Sequence, residues 1–183
     1  ARLRELEAAH EPALVVWDAS VLEKPESLEL EGLCAVRSSR AQRLKRQKRG
    51  FYHPPSAPIF VPGMHWLGAL LLGMRGVPTL AALRWWTTRG RRASKARTQQ
   101  RHLLRLLARR WGRRVWHIFD RGFAGRPWLE QLASQEVDWI LRWPKGYNLS
   151  DMQGQSRLAW HLTRGKRSRD HRLVWDARRR CYR

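Results

Sequence analysis

Two short apolar runs, each followed directly by an aspartate, restrict the fold of this chain most strongly. Residues 14–17 precede Asp18, and residues 115–119 precede Asp120. Compact apolar runs of this length are typical of buried strands. Each aspartate is therefore predicted at or near the C-terminal end of a buried strand.

The remaining elements are predicted from apolar periodicity, caps and turn residues. Strands that alternate with helices indicate an α/β fold, and one strand pair reads as an antiparallel hairpin. The predicted elements are a helix over residues 1–10, a hairpin of strands 66–74 and 79–86, a helix capped by Ser94 and ending near residue 111, a helix beginning near Pro127, a strand over 137–143, and a second hairpin from 158–163 and 171–175.

Charge points to a polyanionic partner. The chain carries 37 Lys and Arg against 15 Asp and Glu, a net charge of +22, and its pI is near 11.7. A balance of this kind is the electrostatic footprint of a nucleic-acid-binding protein, although a ribosomal-type or merely basic protein would share it. The 43% hydrophobic content and 11 tryptophans are too much buriable surface for a disordered tail.

Localisation is predicted from what the sequence lacks. No apolar run reaches the roughly 20 residues that span a membrane, and no secretory signal opens the chain. The 2 cysteines lack metal-ligand spacing, which favours a reducing cytoplasm. We therefore expect a cytoplasmic protein without a membrane partner.

The paired aspartates suggest metal chemistry. If their strands are parallel and adjacent, Asp18 and Asp120 meet at one edge of the sheet, where open α/β sheets bind ligands. Hard carboxylate oxygens suit Mg²⁺, or Mn²⁺ in its place. A helix beginning near Pro127 would direct its positive end toward the same region. An aspartate after a strand is more often a turn or cap residue, so spacing alone leaves both interpretations open.

Basic side chains supply candidate DNA contacts. A long basic loop over residues 34–58 interleaves cations with Phe51 and Tyr52, which favours phosphate contact with base stacking over a mobile, solvated loop. Arg121 is as well explained by an ion pair with a nearby carboxylate, and the arginines that recur every four residues in the helix after Ser94 read as a solvated face. The predicted DNA-binding residues are Arg37, Arg40, Arg43, Lys45, Arg46, Lys48, Arg49, Arg121 and Arg126.

Four segments carry a family resemblance. They resemble the DDE transposases of bacterial insertion sequences, most closely the insertion-sequence-four family, and the block around Asp120 is the most specific. The segments are VWDASVLEKP at residues 16–25, PIFVPGMHW at 58–66, RWW at 84–86 and FDRGFAG at 119–125.

The resemblance implies a ribonuclease-H-like fold, with a mixed sheet flanked by helices, and cut-and-paste transposition of DNA with two magnesium ions. It also implies a bacterial, nucleoid-associated protein. Asp18 matches the first catalytic acid of the family and Asp120 the second, so both are implied metal ligands. The implied substrates are double-stranded terminal inverted repeats and target DNA. Transposases of this kind generally act as dimers on paired ends, which implies a homodimer, although the sequence shows no surface for one.

The third acid of the family is missing from the sequence. It is a glutamate on a later helix, beyond a β-rich insertion, and no matching motif occurs before the end of the chain; Glu130 reads as a solvent-facing helix residue. We therefore expect residues 1–142 to be the catalytic core, 143–183 to begin the insertion, and the active site to be incomplete. The alternatives are a non-catalytic DNA-binding remnant and a ribonuclease-H-like nuclease.

Overall fold

A six-stranded mixed sheet organises the chain in the computed structural model, which describes residues 1–27, 30–38, 58–150, 154–164, 175–176 and 181–182. The strands are β1 (Leu14–Glu23), β2 (Cys34–Arg37), β3 (Phe60–Leu72), β4 (Thr79–Trp86), β5 (Trp116–Phe119), β6 (Asp138–Leu141), β7 (Asn148–Ser150), β8 (Ser156–Leu158), β9 (Trp175–Asp176) and β10 (Cys181–Tyr182). The helices are α1 (Arg2–Ala8), α2 (Ala96–Trp111), α3 (Arg126–Ala133) and α4 (Ala159–Thr163).

Strand β3 is the long central strand of the sheet. One of its edges pairs antiparallel with β1, and the other pairs antiparallel with β2 and then with β4. On the far side of β1, strands β5 and β6 follow, each parallel to its neighbour. The predicted mixed α/β architecture is confirmed. Two small antiparallel pairs, β7 with β8 and β9 with β10, complete the strands of the described residues.

The core lies on one face of the sheet. Val15 and Trp17 of β1 are buried there beside Leu71 and Ala69 of β3, their register partners. Helices α1, α2 and α3 contribute their apolar sides to the same cluster. Successive residues of a strand point to opposite faces, so Asp18 projects from the other face, where it is exposed.

Helix α2 forms because its leucines recur at helical spacing. Leu103, Leu104 and Leu107 are all buried against the sheet. The predicted Ser94 cap is wrong, since Lys95 occupies the cap position and the Ser94 hydroxyl accepts a hydrogen bond from the Gln99 amide at 2.8 Å. Of the helices in the described ranges, none has the length and apolarity required to span a bilayer.

Three predicted boundaries are wrong, each for a tertiary reason. Strand β1 does not end at Asp18, because β3 supplies a partner for every residue as far as Glu23. The predicted basic loop begins with a strand, β2, because residues 60–63 of β3 pair with it. The first strand of the second predicted hairpin is wrong, because β7 pairs with residues 156–158 and residues 159–163 form helix α4; residues 171–174 of its second strand lie outside the described residues.

Candidate active site

The register of β1 and β5 brings the two predicted acids together. Val16 pairs with Ile118 and Trp17 with Phe119 in parallel alignment. The next residue is Asp18 on β1, and it is Asp120 directly after β5. Neighbouring strands lie roughly 4.8 Å apart. The two aspartates therefore occupy adjacent positions at one place on the sheet, although about a hundred residues separate them in sequence.

Both acids lie on the face opposite the core. Trp17 and Phe119, which directly precede them, are 2% and 1% exposed on the core face. Asp18 and Asp120 are exposed, and the backbone of Asp120 continues extended, with φ −77° and ψ 175°. Each carboxylate thus faces solvent from a backbone that a buried aromatic ring holds in place.

Asp120 also organises the turn that follows it. Its Oδ1 accepts a hydrogen bond from the Gly122 amide at 2.9 Å, and its carbonyl accepts one from the Phe123 amide at 3.2 Å. A Cβ at residue 122 would lie only 3.1 Å from Oδ1, so glycine suits this close approach. A carboxylate has about four lone-pair sites, and a cap role leaves room for a ligand role.

A buried hydrogen bond joins the two acid-bearing strands. The Trp17 Nε1–H donates to His117 Nδ1 at 3.0 Å, and His117 is fully buried. Burial lowers the pKa of His117 to about 4, because the charged imidazolium is poorly solvated there. His117 is therefore a core histidine, although its Nε2 has no hydrogen-bond partner in the part of the chain that the structure describes.

Arg97 anchors the turn after Asp120 from helix α2. Its Nη1 donates to the Phe123 carbonyl at 3.3 Å and to Gln100 Oε1 at 3.1 Å, while its Cζ lies 5.7 Å from the centroid of the Trp128 ring. Burial and then the nearby Arg101 lower the pKa of Arg97. The arginine stripe of this helix was predicted to be a solvated face, which is wrong for this residue.

The other predicted DNA contacts fall into two groups. Arg121 is exposed and forms no ion pair with any described residue, whereas Arg126 pairs with Glu130 at 2.9 Å, one turn along α3. Arg37 is exposed at the end of β2. These three residues lie on different elements: the end of β2, the turn after β5 and helix α3. The remaining predicted residues lie outside the described residues: Arg40, Arg43, Lys45, Arg46, Lys48 and Arg49.

No further His, Cys, Asp or Glu side chain joins the acid pair within the described ranges, which contain no group of three or more such side chains that could hold a metal ion. Asp138 lies on the same face as the pair, but its register partner is Trp116, at the opposite end of β5. Glu130 is exposed on α3, as predicted.

A family comparison covers the second of the two acids. Residues 80–182, more than half of the 183-residue chain, match the family described as Transposase DDE domain. The chain belongs to this family. Membership implies DNA transposition on a DNA substrate, and the family generally uses divalent metal ions. No curated protein and no solved structure matches this DDE domain.

The matched segment begins inside β4, so it contains Asp120 and its turn but not Asp18. The assignment of Asp18 to the DDE domain's site therefore depends on the register between β1 and β5.

Sequence reasoning missed two residues that support the acid pair. Nothing in the sequence distinguishes Arg97 from the other arginines of its helix; only its position, opposite the Phe123 carbonyl, does. The signal for His117 was present, because it lies three residues before Asp120 in a buried run. Its hydrogen bond to Trp17 became visible only when the strand register was known.

Proposed function

We propose that this chain carries the first two metal-binding acids, Asp18 and Asp120, of a DNA transposase that cuts and joins insertion-sequence ends. The observation that carries the proposal is the parallel register of β1 and β5, which gives the acids neighbouring positions on one exposed face. Family membership supplies the substrate class, and the net charge of +22 is compatible with it.

The donor set fits a divalent cation. The two carboxylates extend from neighbouring strands, which lie roughly 4.8 Å apart, and they repel one another without a cation between them. Their hard oxygen atoms suit Mg²⁺, or Mn²⁺ in its place, and magnesium usually binds one or two protein carboxylates while it keeps several waters. When bound, such ions supply Lewis-acid activation of the attacking oxygen and stabilise the leaving oxygen in phosphoryl transfer.

The protein's own contribution is to place these groups. Asp18 and Asp120 hold the cation site, and the hydrogen bond between Trp17 and His117 fixes the strands that carry them. Arg121, exposed one residue after the second acid, is placed to bind a DNA phosphate, for which the planar guanidinium is well suited.

A ribonuclease-H-like core over residues 1–142, with a β-rich insertion beginning at 143, remains our proposal for the domain organisation. A mixed sheet with helices packed on one face is compatible with it. We further propose a third carboxylate, a glutamate from a later helix, and a homodimer that acts on paired terminal inverted repeats. The open face around Asp18 and Asp120 offers that glutamate a place to approach.

Substitution of the acids tests the proposal directly. Asp18→Asn and Asp120→Asn in the full-length protein should each abolish Mg²⁺-dependent cleavage of inverted-repeat DNA, since an amide cannot replace a charged ligand, and leave DNA binding nearly unchanged. Asp138→Asn is the matched control, because this acid lies on the same face but at the far end of the parallel strands, and it should keep cleavage activity.

Retained cleavage in both acid variants would remove these residues as ligands. Salt-sensitive DNA binding by the parent protein without cleavage, whatever divalent ion is supplied, would favour the non-catalytic DNA-binding remnant instead. Cleavage of RNA or branched DNA in preference to inverted repeats would favour a nuclease.

A further inference from the structure

The turn between β4 and α2 is held in a defined shape. The Thr87 hydroxyl accepts from the Arg89 amide at 3.1 Å, and the Thr87 carbonyl accepts from the Ser94 amide at 2.8 Å. The Ala93 amide donates to the Gly90 carbonyl at 3.1 Å, and Gly90 has a positive φ of 72°. These bonds, together with the bridge between Thr87 and Ala93, close residues 87–94 into a defined loop.

This loop presents three arginines to solvent. Arg89, Arg91 and Arg92 are exposed, and none of them forms an ion pair with a residue in the described ranges. Three positive charges within four residues repel one another. An internally bonded loop that displays them indicates an anionic ligand more strongly than a mobile basic segment would.

The arginines form one wall of a groove of about 1470 Å³. The other walls come from the residues before β2 and from the start of β3, where Phe60 is 57% exposed. Glu31 is the one carboxylate among the described residues that line the groove. A wall rich in arginine opposite an exposed aromatic ring suits a sugar–phosphate chain, with guanidinium groups on phosphates and the ring against the sugars.

The groove lies four to eight residues along β3 from the strand position that pairs with Asp18. Gly68 of β3 pairs with Asp18, and the groove begins at Met64 and extends to Phe60. Four to eight residues of strand correspond to roughly 13–26 Å. At about 3.4 Å for each nucleotide step of a DNA strand, that distance is roughly four to eight base pairs.

We propose that this groove binds the backbone of duplex DNA roughly four to eight base pairs from the site of strand cleavage. The proposal rests on the proposed function for the position of the cut, and it adds Arg89, Arg91 and Arg92 to the DNA-contacting residues. The contacts are to phosphates, so they position the duplex and carry no sequence information directly.

Charge-matched triple variants test the groove. One removes Arg89, Arg91 and Arg92 as alanines, and the control removes Arg101, Arg105 and Arg109, which are exposed on α2. Both lower the net charge equally. Binding of the full-length protein to a duplex long enough to span the acid pair and the groove is measured by fluorescence anisotropy over a salt series, without a divalent ion. Each lost phosphate contact should reduce the slope of log K against log salt by about 0.9.

We expect the groove variant to lose about 2–3 from that slope and the control to keep nearly the parent slope. Equal losses in the two variants, or a parent-like slope in the groove variant, would overturn the proposal.

Phe60→Ala provides a second measurement that removes no charge. This variant should bind several-fold more weakly at an unchanged slope, and parent affinity would also count against the groove. Because binding is measured without metal, a protein that fails to cleave refutes the proposed function and leaves the groove result intact.

Discussion

The buried His117 makes the stability of this fold depend on pH in a calculable way. Its pKa is lowered by burial to about 4 in the folded chain, whereas an unfolded chain has the ordinary value of 6.5. As the pH falls below 6.5, the unfolded state binds a proton that the native state rejects, and unfolding becomes more favourable. This contribution to stability is complete above 6.5 and is lost as the pH falls to about 4.

The size of the effect follows from the two pKa values. Their difference of about 2.5 pH units corresponds to a loss of about 3 kcal/mol in the free energy of unfolding once the pH lies below both values, at about 1.4 kcal/mol for each pH unit. Relative to neutral pH, the loss from His117 alone should be roughly 1 kcal/mol at a pH near 5.5 and roughly 2 kcal/mol near 4.5. Partial burial also lowers the pKa of His65, which adds in the same direction.

Urea unfolding at a series of pH values, in the parent and in His117→Asn, isolates the effect. The asparagine oxygen can accept the Trp17 Nε1–H but does not titrate, so this variant should be less stable at neutral pH and lose less stability on acidification. His102→Asn removes an exposed histidine from α2 and should keep the parent slope. Parallel stability curves for the parent and His117→Asn would refute the assignment of a neutral, buried imidazole.

Three further substitutions test the support of the acid pair and the core. Arg97→Ala should speed amide exchange in the turn after Asp120 and lower stability by about 1–2 kcal/mol through its lost bond to the Phe123 carbonyl, whereas Arg101→Ala should do neither. Gly125→Ala should cost about 1–3 kcal/mol in thermal or urea unfolding, because residue 125 has a φ of 143°. Leu104→Ala should cost about 2–5 kcal/mol, because this side chain is fully buried.

The α/β fold and the two acid-bearing strands were predictable because their signals are local. Both acid-bearing strands are compact apolar runs, and helices α2 and α3 show their buried leucines at helical spacing. Strand β4 was predicted with its observed limits, since a turn and a polar loop bound it on either side. Local patterning was sufficient wherever an element buries one side against the core.

Elements and residues that depend on distant partners were not predictable in the same way. The second half of β1 contains polar and exposed residues, and it is a strand because β3 runs beside it. Strand β2 is four residues of an otherwise basic segment, and residues 60–63 of β3 define it. Arg97 differs from Arg101 only in its position opposite the Phe123 carbonyl. In each case the deciding interaction joins residues that are far apart in sequence.

The geometry of the acid pair is protected by the burial that stabilises the sheet. Side chains alternate between faces, so a slip of one residue between β1 and β5 would move Asp18 into the core and Trp17 into solvent. Burying an unpaired carboxylate and exposing an indole are both unfavourable by several kcal/mol. The hydrogen bond from Trp17 to His117 would also be lost. Selection for a stable core therefore also preserves the register that brings Asp18 to Asp120, and a substitution that weakens the Trp17 packing should impair metal binding before it unfolds the chain.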